Sequence, residues 1–196
     1  MNKTVEFVFD FVSAPSYIAW KTLPPLLKAA RATLVLTPVV ATGIQKATGN
    51  PGPAAYPAKM DWYIRDLGRW CKKRGVKISP TLHWPFRSLP LLRGCLLAQE
   101  RGDTDHYVNA MFEAVFLHGR NMDDPAMIEK SMLEAGLDIA AYQQGIERQD
   151  IKDKLRRNTD EAVARKVFGV PTFFANDELF FGQDRIEFVF EALDGR

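Results

Sequence analysis

The spacing of hydrophobic residues in the first forty positions predicts two buried strands joined by a helix. Residues 5–11 are almost entirely apolar and β-prone, as a strand buried on both faces would be. Residues 17–31 have a helical pattern, which Pro24 and Pro25 should kink or split. Residues 32–40 form a second apolar run. Such an order predicts a βαβ unit, and therefore a pair of parallel strands.

The middle of the chain is predicted to be helical. After a Gly- and Pro-rich loop at residues 49–53, apolar residues recur at helical spacing up to Gly75. From residue 88 to about residue 166 the helical pattern continues, with Asp124 as a cap before Pro125. One face of this stretch should carry Tyr107, Met111, Ala114, Val115 and His118.

Near the end of the chain the spacing of hydrophobic residues again becomes that of β-strands. Residues 171–174 and 178–181 predict a hairpin, and residues 184–193 predict a last helix. The order βαβ, helices, ββα predicts an α/β, thioredoxin-like fold with a large all-helical insertion. We expect the thioredoxin-like domain at residues 1–80 and 166–196, and the inserted helical domain at residues 81–165.

Composition excludes several classes of function. The 26 Lys and Arg residues nearly balance the 24 Asp and Glu residues, and no basic stripe predicts nucleic-acid binding. No run approaches the ~20 apolar residues of a membrane span, and the N-terminus lacks the pattern of a secretory signal. Cys71 and Cys95 lie far apart and form no CxxC motif, which favours reduced thiols and a cytoplasmic protein. No pair of histidines has metal-ligand spacing, so no metal site is predicted.

The segment after the first strand is the candidate for chemistry. In a thioredoxin-like fold this strand ends at a helix N-terminus, where redox members carry CxxC. Here the segment reads Ser13-Ala14-Pro15-Ser16, which excludes dithiol chemistry. No base that would activate Ser13 is evident, so its hydroxyl is better suited to hydrogen-bond a thiolate carried by a ligand such as glutathione. The alternative is that Ser13 and Ser16 only cap the helix.

Two later segments add weaker signals. X-Pro bonds in folded proteins are cis in only about 5–6% of cases, so the residues alone favour a trans bond before Pro171. A cis bond there would turn the Val170 backbone toward an extended peptide. Asp184 is suited either to cap the last helix or to bind an ammonium group.

Taken in order, these segments resemble the 2-hydroxychromene-2-carboxylate isomerases, a family close to kappa-class glutathione transferases and related in fold to DsbA. The resemblance runs nearly from end to end of the chain. Its segments are Asp10-Phe11-Val12-Ser13, Ser16-Tyr17, Thr48-Gly49-Asn50, Pro57-Ala58-Lys59, residues 167–173 and residues 181–185.

The resemblance implies glutathione as the cofactor and assigns a role to each matching residue. Ser13 matches the catalytic serine that hydrogen-bonds the glutathione sulfur. Asn50 and Lys59 match residues that contact the tripeptide, with Lys59 suited to a carboxylate. Val170 matches the residue before a cis-proline, whose backbone pairs with the cysteinyl part.

The last segment, residues 181–185, matches the segment with which the family binds the γ-glutamyl group. Gln183 and Asp184 would hold this group, with the carboxylate facing its ammonium, and Arg185 completes the motif. Family members in the isomerase branch convert 2-hydroxychromene-2-carboxylate to its trans-2-oxo-acid isomer during the breakdown of naphthalene-type aromatics, and relatives are often dimers.

This sequence departs from the family at two places near the expected acceptor pocket. The family usually has Pro directly after the serine, often followed by an aromatic residue, whereas here Ala14 and Pro15 follow. Arg87 stands where Asn is common. Phe11, Trp84 and Arg87 are the candidates for the acceptor pocket.

The sequence therefore predicts a glutathione-dependent isomerase that acts on an aromatic-derived 2-oxo acid. One alternative is a kappa-class-like transferase or peroxidase with the same thiolate site. Another is a non-catalytic, peptide-binding protein of thioredoxin fold that has lost its cysteines.

Overall fold

A computed structural model describes residues 3–80 and 82–195, and its N-terminal part is the predicted βαβ unit. Strand β1 (Thr4–Phe9) is followed by helix α1 (Ala14–Ala30) and strand β2 (Thr33–Pro38). The two strands are parallel, in register from Thr4 opposite Thr33 to Phe9 opposite Pro38. Helix α1 is continuous through Pro24 and Pro25, so of the predicted kink or split, the split is wrong and the kink stays a prediction. Both prolines are exposed, which lets water reach the carbonyl groups that lose their helical partners.

Two helices follow the βαβ unit. Helix α2 (Ala41–Thr48) was not predicted, and helix α3 (Pro57–Arg74) ends at Gly75 as expected. Gly75 adopts a left-handed backbone with φ of 66°, which favours glycine.

Five helices occupy the middle of the described chain, in line with the predicted helical stretch. They are α4 (Leu89–Arg101), α5 (Thr104–Phe116), α6 (Pro125–Glu134), α7 (Ile139–Gly145) and α8 (Gln149–Ala164). Asp124 caps α6 through its carboxylate, which accepts from the Ala126 N–H at 3.0 Å. Tyr107, Met111, Ala114 and Val115 are buried, but His118 is exposed because α5 ends two residues earlier.

The C-terminal part completes a four-stranded sheet in the order β2-β1-β3-β4. Strands β3 (Thr172–Ala175) and β4 (Glu178–Phe181) form the predicted hairpin, and β3 lies antiparallel to β1. A 3-10 turn (Gln183–Arg185) leads into helix α9 (Ile186–Leu193), so the last α-helix begins two residues later than expected.

One large apolar core joins the sheet to the middle helices. The rings of Phe9 and Phe11 lie 5.6 and 4.8 Å from that of Phe112 in α5, and the rings of Phe7 and Phe173 stack at 5.2 Å. The division into a thioredoxin-like domain (residues 1–80 and 166–196) and an inserted helical domain (residues 81–165) stays a prediction. Residues 1, 81 and 196, at the ends of these ranges, lie outside the described residues. None of the helices within the described ranges has both the length and the apolar character to cross a bilayer.

Candidate functional site

Ser13 lies in the turn between β1 and α1. Its N–H donates to the Asp10 carbonyl at 3.1 Å, and its own carbonyl accepts from the Tyr17 N–H at 3.1 Å. The Ser13 hydroxyl oxygen accepts from the Ser16 N–H at 3.2 Å. Ser13 therefore caps α1, as the capping interpretation of the sequence predicted. The helix begins at Ala14, three residues earlier than its hydrophobic pattern indicated.

The helix cap uses the oxygen of the Ser13 hydroxyl as an acceptor and leaves its proton with only a weak hydrogen bond. The hydroxyl donates to the Val170 carbonyl over 3.4 Å, well beyond the usual O–H···O distance of about 2.7–2.8 Å. Because a hydroxyl carries one proton and two lone pairs, Ser13 can cap the helix and still turn its proton to a bound anion. The half-buried position of Ser13 at a helix N-terminus favours such an anion.

Asp10 holds this turn in place from within the core. Its carboxylate, which is only 1% exposed, accepts from the Val12 N–H at 3.1 Å and from the Ala41 N–H at 2.9 Å. The Ser88 hydroxyl also hydrogen-bonds it. Burial raises the pKa of Asp10, and these hydrogen bonds only partly offset the cost of desolvating its charge. Asp10 thereby connects the end of β1 to the starts of α2 and α4.

The loop before β3 lies against Ser13. The Val170–Pro171 bond is cis, as the resemblance implies and as the residues alone did not favour. The Pro171 carbonyl accepts from the Gly182 N–H at 2.9 Å, which places the start of the 3-10 turn beside this loop. Ser13, Val170 and Gln183 therefore belong to one end of the molecule.

Asn50 joins the loop after α2 to the same region. Its side-chain oxygen accepts from the Gly52 N–H at 3.1 Å, and its amide nitrogen donates to the Phe168 carbonyl at 2.8 Å. Asn50 thus positions the backbone that leads into Val170. Lys59 is exposed in the first turn of α3, and its amine has no hydrogen bond or ion pair with any residue in ranges 3–80 and 82–195.

Gln183 and Asp184 follow β4 on a tight turn. The side-chain oxygen of Gln183 is buried and has no hydrogen-bond partner among the described residues. The Asp184 carboxylate is half-exposed, lies 3.4 Å from the Arg185 guanidinium and does not cap α9. Gly182 has φ of +103°, a backbone conformation that favours glycine, and a Cβ there would lie 2.4 Å from an Asp184 carboxylate oxygen.

These residues fit the chemical groups of glutathione. The unpaired oxygen of Gln183 and the carboxylate of Asp184 suit an ammonium group, and the exposed amine of Lys59 suits a carboxylate. The hydroxyl of Ser13 suits a thiolate. Lys59 makes no hydrogen bond or ion pair with the other candidates within the described part of the chain.

The structure changes the choice of acceptor-pocket residues. Phe11 is fully buried between the rings of Phe9, Tyr107 and Phe112, so it belongs to the core and not to the pocket. Trp84 is half-buried, and its indole N–H donates to the Val12 carbonyl at 2.8 Å. Neither this contact nor the linking role of Asp10 was recognised from the sequence, because both depend on segments far apart in the chain.

Comparison with known proteins identifies the family of this chain. A profile of the DsbA-like thioredoxin domain matches residues 4–194. A 2-hydroxychromene-2-carboxylate isomerase from Pseudomonas putida is 30% identical over 98% of this chain and 94% of its own length. The chain belongs to the DsbA-like thioredoxin family, in the group that holds the 2-hydroxychromene-2-carboxylate isomerases.

Further relatives support this assignment. A solved structure of a 2-hydroxychromene-2-carboxylate isomerase superposes with a TM-score of 0.88 at 28% identity, covering 98% of this chain and 95% of that chain. Glutathione S-transferase kappa 1 from Homo sapiens is 25% identical over 98% of this chain and 92% of its length. The family and fold predicted from the sequence are thereby confirmed.

Proposed function

We propose that this chain is a glutathione-dependent isomerase that acts on an aromatic-derived 2-oxo acid of the 2-hydroxychromene-2-carboxylate type. The observation that carries the proposal is the hydroxyl of Ser13, which caps α1 and makes only a 3.4 Å contact with the Val170 carbonyl. That contact is weak enough to be exchanged for a stronger, charge-assisted hydrogen bond to a thiolate.

Each residue of the site has a proposed task. The Ser13 hydroxyl donates a hydrogen bond to the sulfur and stabilises the thiolate, together with the N-terminus of α1. Gln183 and Asp184 hold the γ-glutamyl ammonium, Lys59 holds a carboxylate, and the Val170 backbone aligns the cysteinyl part. Asn50 acts by fixing the loop that contains Val170.

Bound glutathione would supply a thiolate that adds reversibly to a conjugated carbon, so that a double bond becomes free to rotate. The contribution of the protein is to hold the two reactants together and to keep the sulfur ionised. With this function we also propose a cytoplasmic enzyme in the breakdown of naphthalene-type aromatics, working as a homodimer.

A direct test is an absorbance assay of 2-hydroxychromene-2-carboxylate with and without glutathione. Isomerisation that requires glutathione is the expected result. No turnover despite tight glutathione binding would contradict the isomerase and favour the kappa-class-like transferase, whose relatives match over nearly the whole chain. Absence of glutathione binding would favour the non-catalytic peptide-binding protein.

Ser13→Ala tests the role of the hydroxyl. A hydrogen bond to a charged group contributes about 1.5–3 kcal/mol, so we expect the pKa of bound glutathione to rise by about one to two units. Thiolate absorbance measured against pH gives this value, and kcat/KM should fall about tenfold or more. Ser131→Ala, in helix α6, is the matched control and should leave both quantities unchanged. An unchanged thiolate pKa in Ser13→Ala would refute the role of Ser13.

A further inference from the structure

Helices α2, α4 and α8 enclose a cleft of about 350 Å³ that is lined by none of the residues assigned to glutathione. Two hydrogen bonds fix α8 against the end of β2 and the start of α2. The Thr159 hydroxyl accepts from the Val40 N–H at 3.1 Å, and the Asn158 amide donates to the Pro38 carbonyl at 3.2 Å. The α2–α4–α8 cleft therefore has a defined shape.

Part of the lining of this cleft is apolar. Leu155 of α8 is only 2% exposed and Val40 is half-buried, whereas Leu89, the first residue of α4, remains 39% exposed. Small-molecule pockets commonly measure about 300–1,000 Å³ and are lined mainly by apolar side chains. The cleft lies at the lower end of that range, so it suits a molecule with one small apolar group.

Arg93 of α4 lines the same cleft, and its guanidinium is incompletely paired. The side chain is 23% exposed, and its Nε is buried and has no hydrogen-bond partner within residues 3–80 and 82–195. Its Nη1 lies 3.9 Å from the Glu147 carboxylate, which is too far for a hydrogen bond. A guanidinium only donates, and its paired N–H groups match the two oxygens of a carboxylate or a phosphate. An oxyanion would therefore satisfy Arg93 best.

The charges on α8 also favour an anion. Lys152 and Arg156, one helical turn apart, line the cleft together with a single acidic residue among those described, Asp160. Glu147 accepts from Lys152 at 2.6 Å, and Asp153 accepts from Arg156 at 2.7 Å. Glu147 is 66% exposed and Arg156 is 72% exposed, and exposed ion pairs are weak, so an anion in the cleft can compete for these cations.

We propose that the α2–α4–α8 cleft binds a small organic anion, with its carboxylate or phosphate on Arg93 and its apolar group against Leu89 and Leu155. Lys152 and Arg156 add positive charge around the head group. Neither glutathione nor Ser13 is needed for such binding. The cleft is thus a second small-molecule site, outside the proposed function and with its own class of ligand.

An NMR titration of the full chain tests the cleft with three probes of similar size: benzoate, phenyl phosphate and uncharged benzyl alcohol. Binding of an anion should shift the Arg93 Nε–H signal and the backbone amide signals of residues 40–43, 89–93 and 152–160. Arg93→Gln should weaken anion binding about tenfold, because a hydrogen bond to a charged partner is lost, and should leave the alcohol unaffected. The anion that binds more tightly identifies the preferred head group.

Two further variants sharpen the test. Arg101→Gln is the matched control, since Arg101 is also in α4, is 36% exposed and lies 3.5 Å from the Asp138 carboxylate. This control should bind both anions as wild type does. Arg93→Lys keeps the charge without the paired N–H groups, so its affinity should lie between those of wild type and Arg93→Gln.

Two results would overturn the anion site. One is an Arg93 Nε–H signal in wild type that neither anion shifts, which requires no variant to fold. The other is an equal loss of anion affinity in Arg93→Gln and Arg101→Gln. Glutathione affinity, measured separately by calorimetry, should be unchanged in Arg93→Gln, and a loss there would overturn the cleft as a separate site. Failure of the wild-type chain to bind glutathione would overturn only the proposed function.

Discussion

Two polar regions of this molecule differ in how completely their groups are paired. In the cleft between α5 and α6, of about 210 Å³, Glu113 accepts from the Lys21 amine at 2.5 Å, and Ser131 and Glu134 both bind the Arg120 guanidinium. At the Ser13 end, the Gln183 oxygen is buried without a partner among the described residues.

This difference in pairing distinguishes a structural cleft from the proposed binding site. A buried polar group without a partner costs about 1–3 kcal/mol, and a ligand that hydrogen-bonds the Gln183 oxygen would recover this loss. In the α5–α6 cleft the protein itself satisfies the charges, and its volume alone indicates no ligand. The following predictions test this contrast, from the largest expected effect to the smallest.

Asp10→Asn should produce the largest loss of stability. An amide can replace only one of the two carboxylate oxygens, which leaves the Val12 or Ala41 N–H without an acceptor. We expect the free energy of unfolding to fall by about 2–3 kcal/mol in urea titrations. Asp61→Asn, an exposed position in α3, is the control and should change little. A loss as small as that of the control would mean that Asp10 does not organise the turn.

The difference in stability between wild type and Asp10→Asn should change with pH in a direction that the pKa of Asp10 determines. Burial raises the pKa of Asp10 above 3.8, so the native state holds this proton to higher pH than the unfolded state. The contribution of Asp10 to stability is therefore complete below about pH 4 and declines as the pH rises through the native pKa. Wild type should lose stability relative to Asp10→Asn over this range in urea titrations. A difference that does not vary with pH would contradict the raised pKa.

Ser16→Ala should raise stability, although Ser16 lies only three residues from Ser13. The Ser16 hydroxyl is fully buried and has no partner within residues 3–80 and 82–195, so its removal should stabilise the protein by about 1 kcal/mol. Ser13→Ala should have the opposite sign, about 1 kcal/mol of destabilisation, because the helix cap is lost. Thermal unfolding measures both. If Ser16→Ala instead weakened glutathione binding, Ser16 would belong to the site.

Glu113→Gln should have the smallest effect. The Lys21–Glu113 pair is about one quarter exposed on each side, and such pairs contribute roughly 0–1 kcal/mol. We therefore expect a loss of less than 1 kcal/mol on thermal unfolding and an unchanged affinity for glutathione in calorimetry. A clear loss of glutathione affinity would show that the cleft and the Ser13 site are coupled.

Much of the fold could be predicted from the sequence because it depends on local periodicity. Buried strands and amphipathic helices have different hydrophobic spacings, and this was enough for the βαβ unit and the last hairpin. Helix α2 was missed because it has only eight residues, buries only Ala41 and Ile44, and has no side-chain cap.

The candidate site was predictable only in part. The capping role of Ser13 follows from its position before a helix, but its contact with Val170 joins residues 157 positions apart. The Trp84–Val12 hydrogen bond likewise depends on how the segment before α4 packs against the turn. The assignment of Phe11 to the acceptor pocket was wrong. In the sequence, an aromatic residue near a site looks the same whether its side chain faces a ligand or the core.

The position of β1 in the sheet determines the order in which parts of this fold can form during synthesis. β1 lies between β2 and β3, and its antiparallel partner is made only when synthesis reaches residues 172–175. Ser13 is synthesised 157 residues before Val170, and Gln183 and Asp184 follow later still. A nascent chain that ends before Val170 therefore contains the Ser13 turn but not the residues that face it, so the proposed site can form only after β3 and β4 have been made.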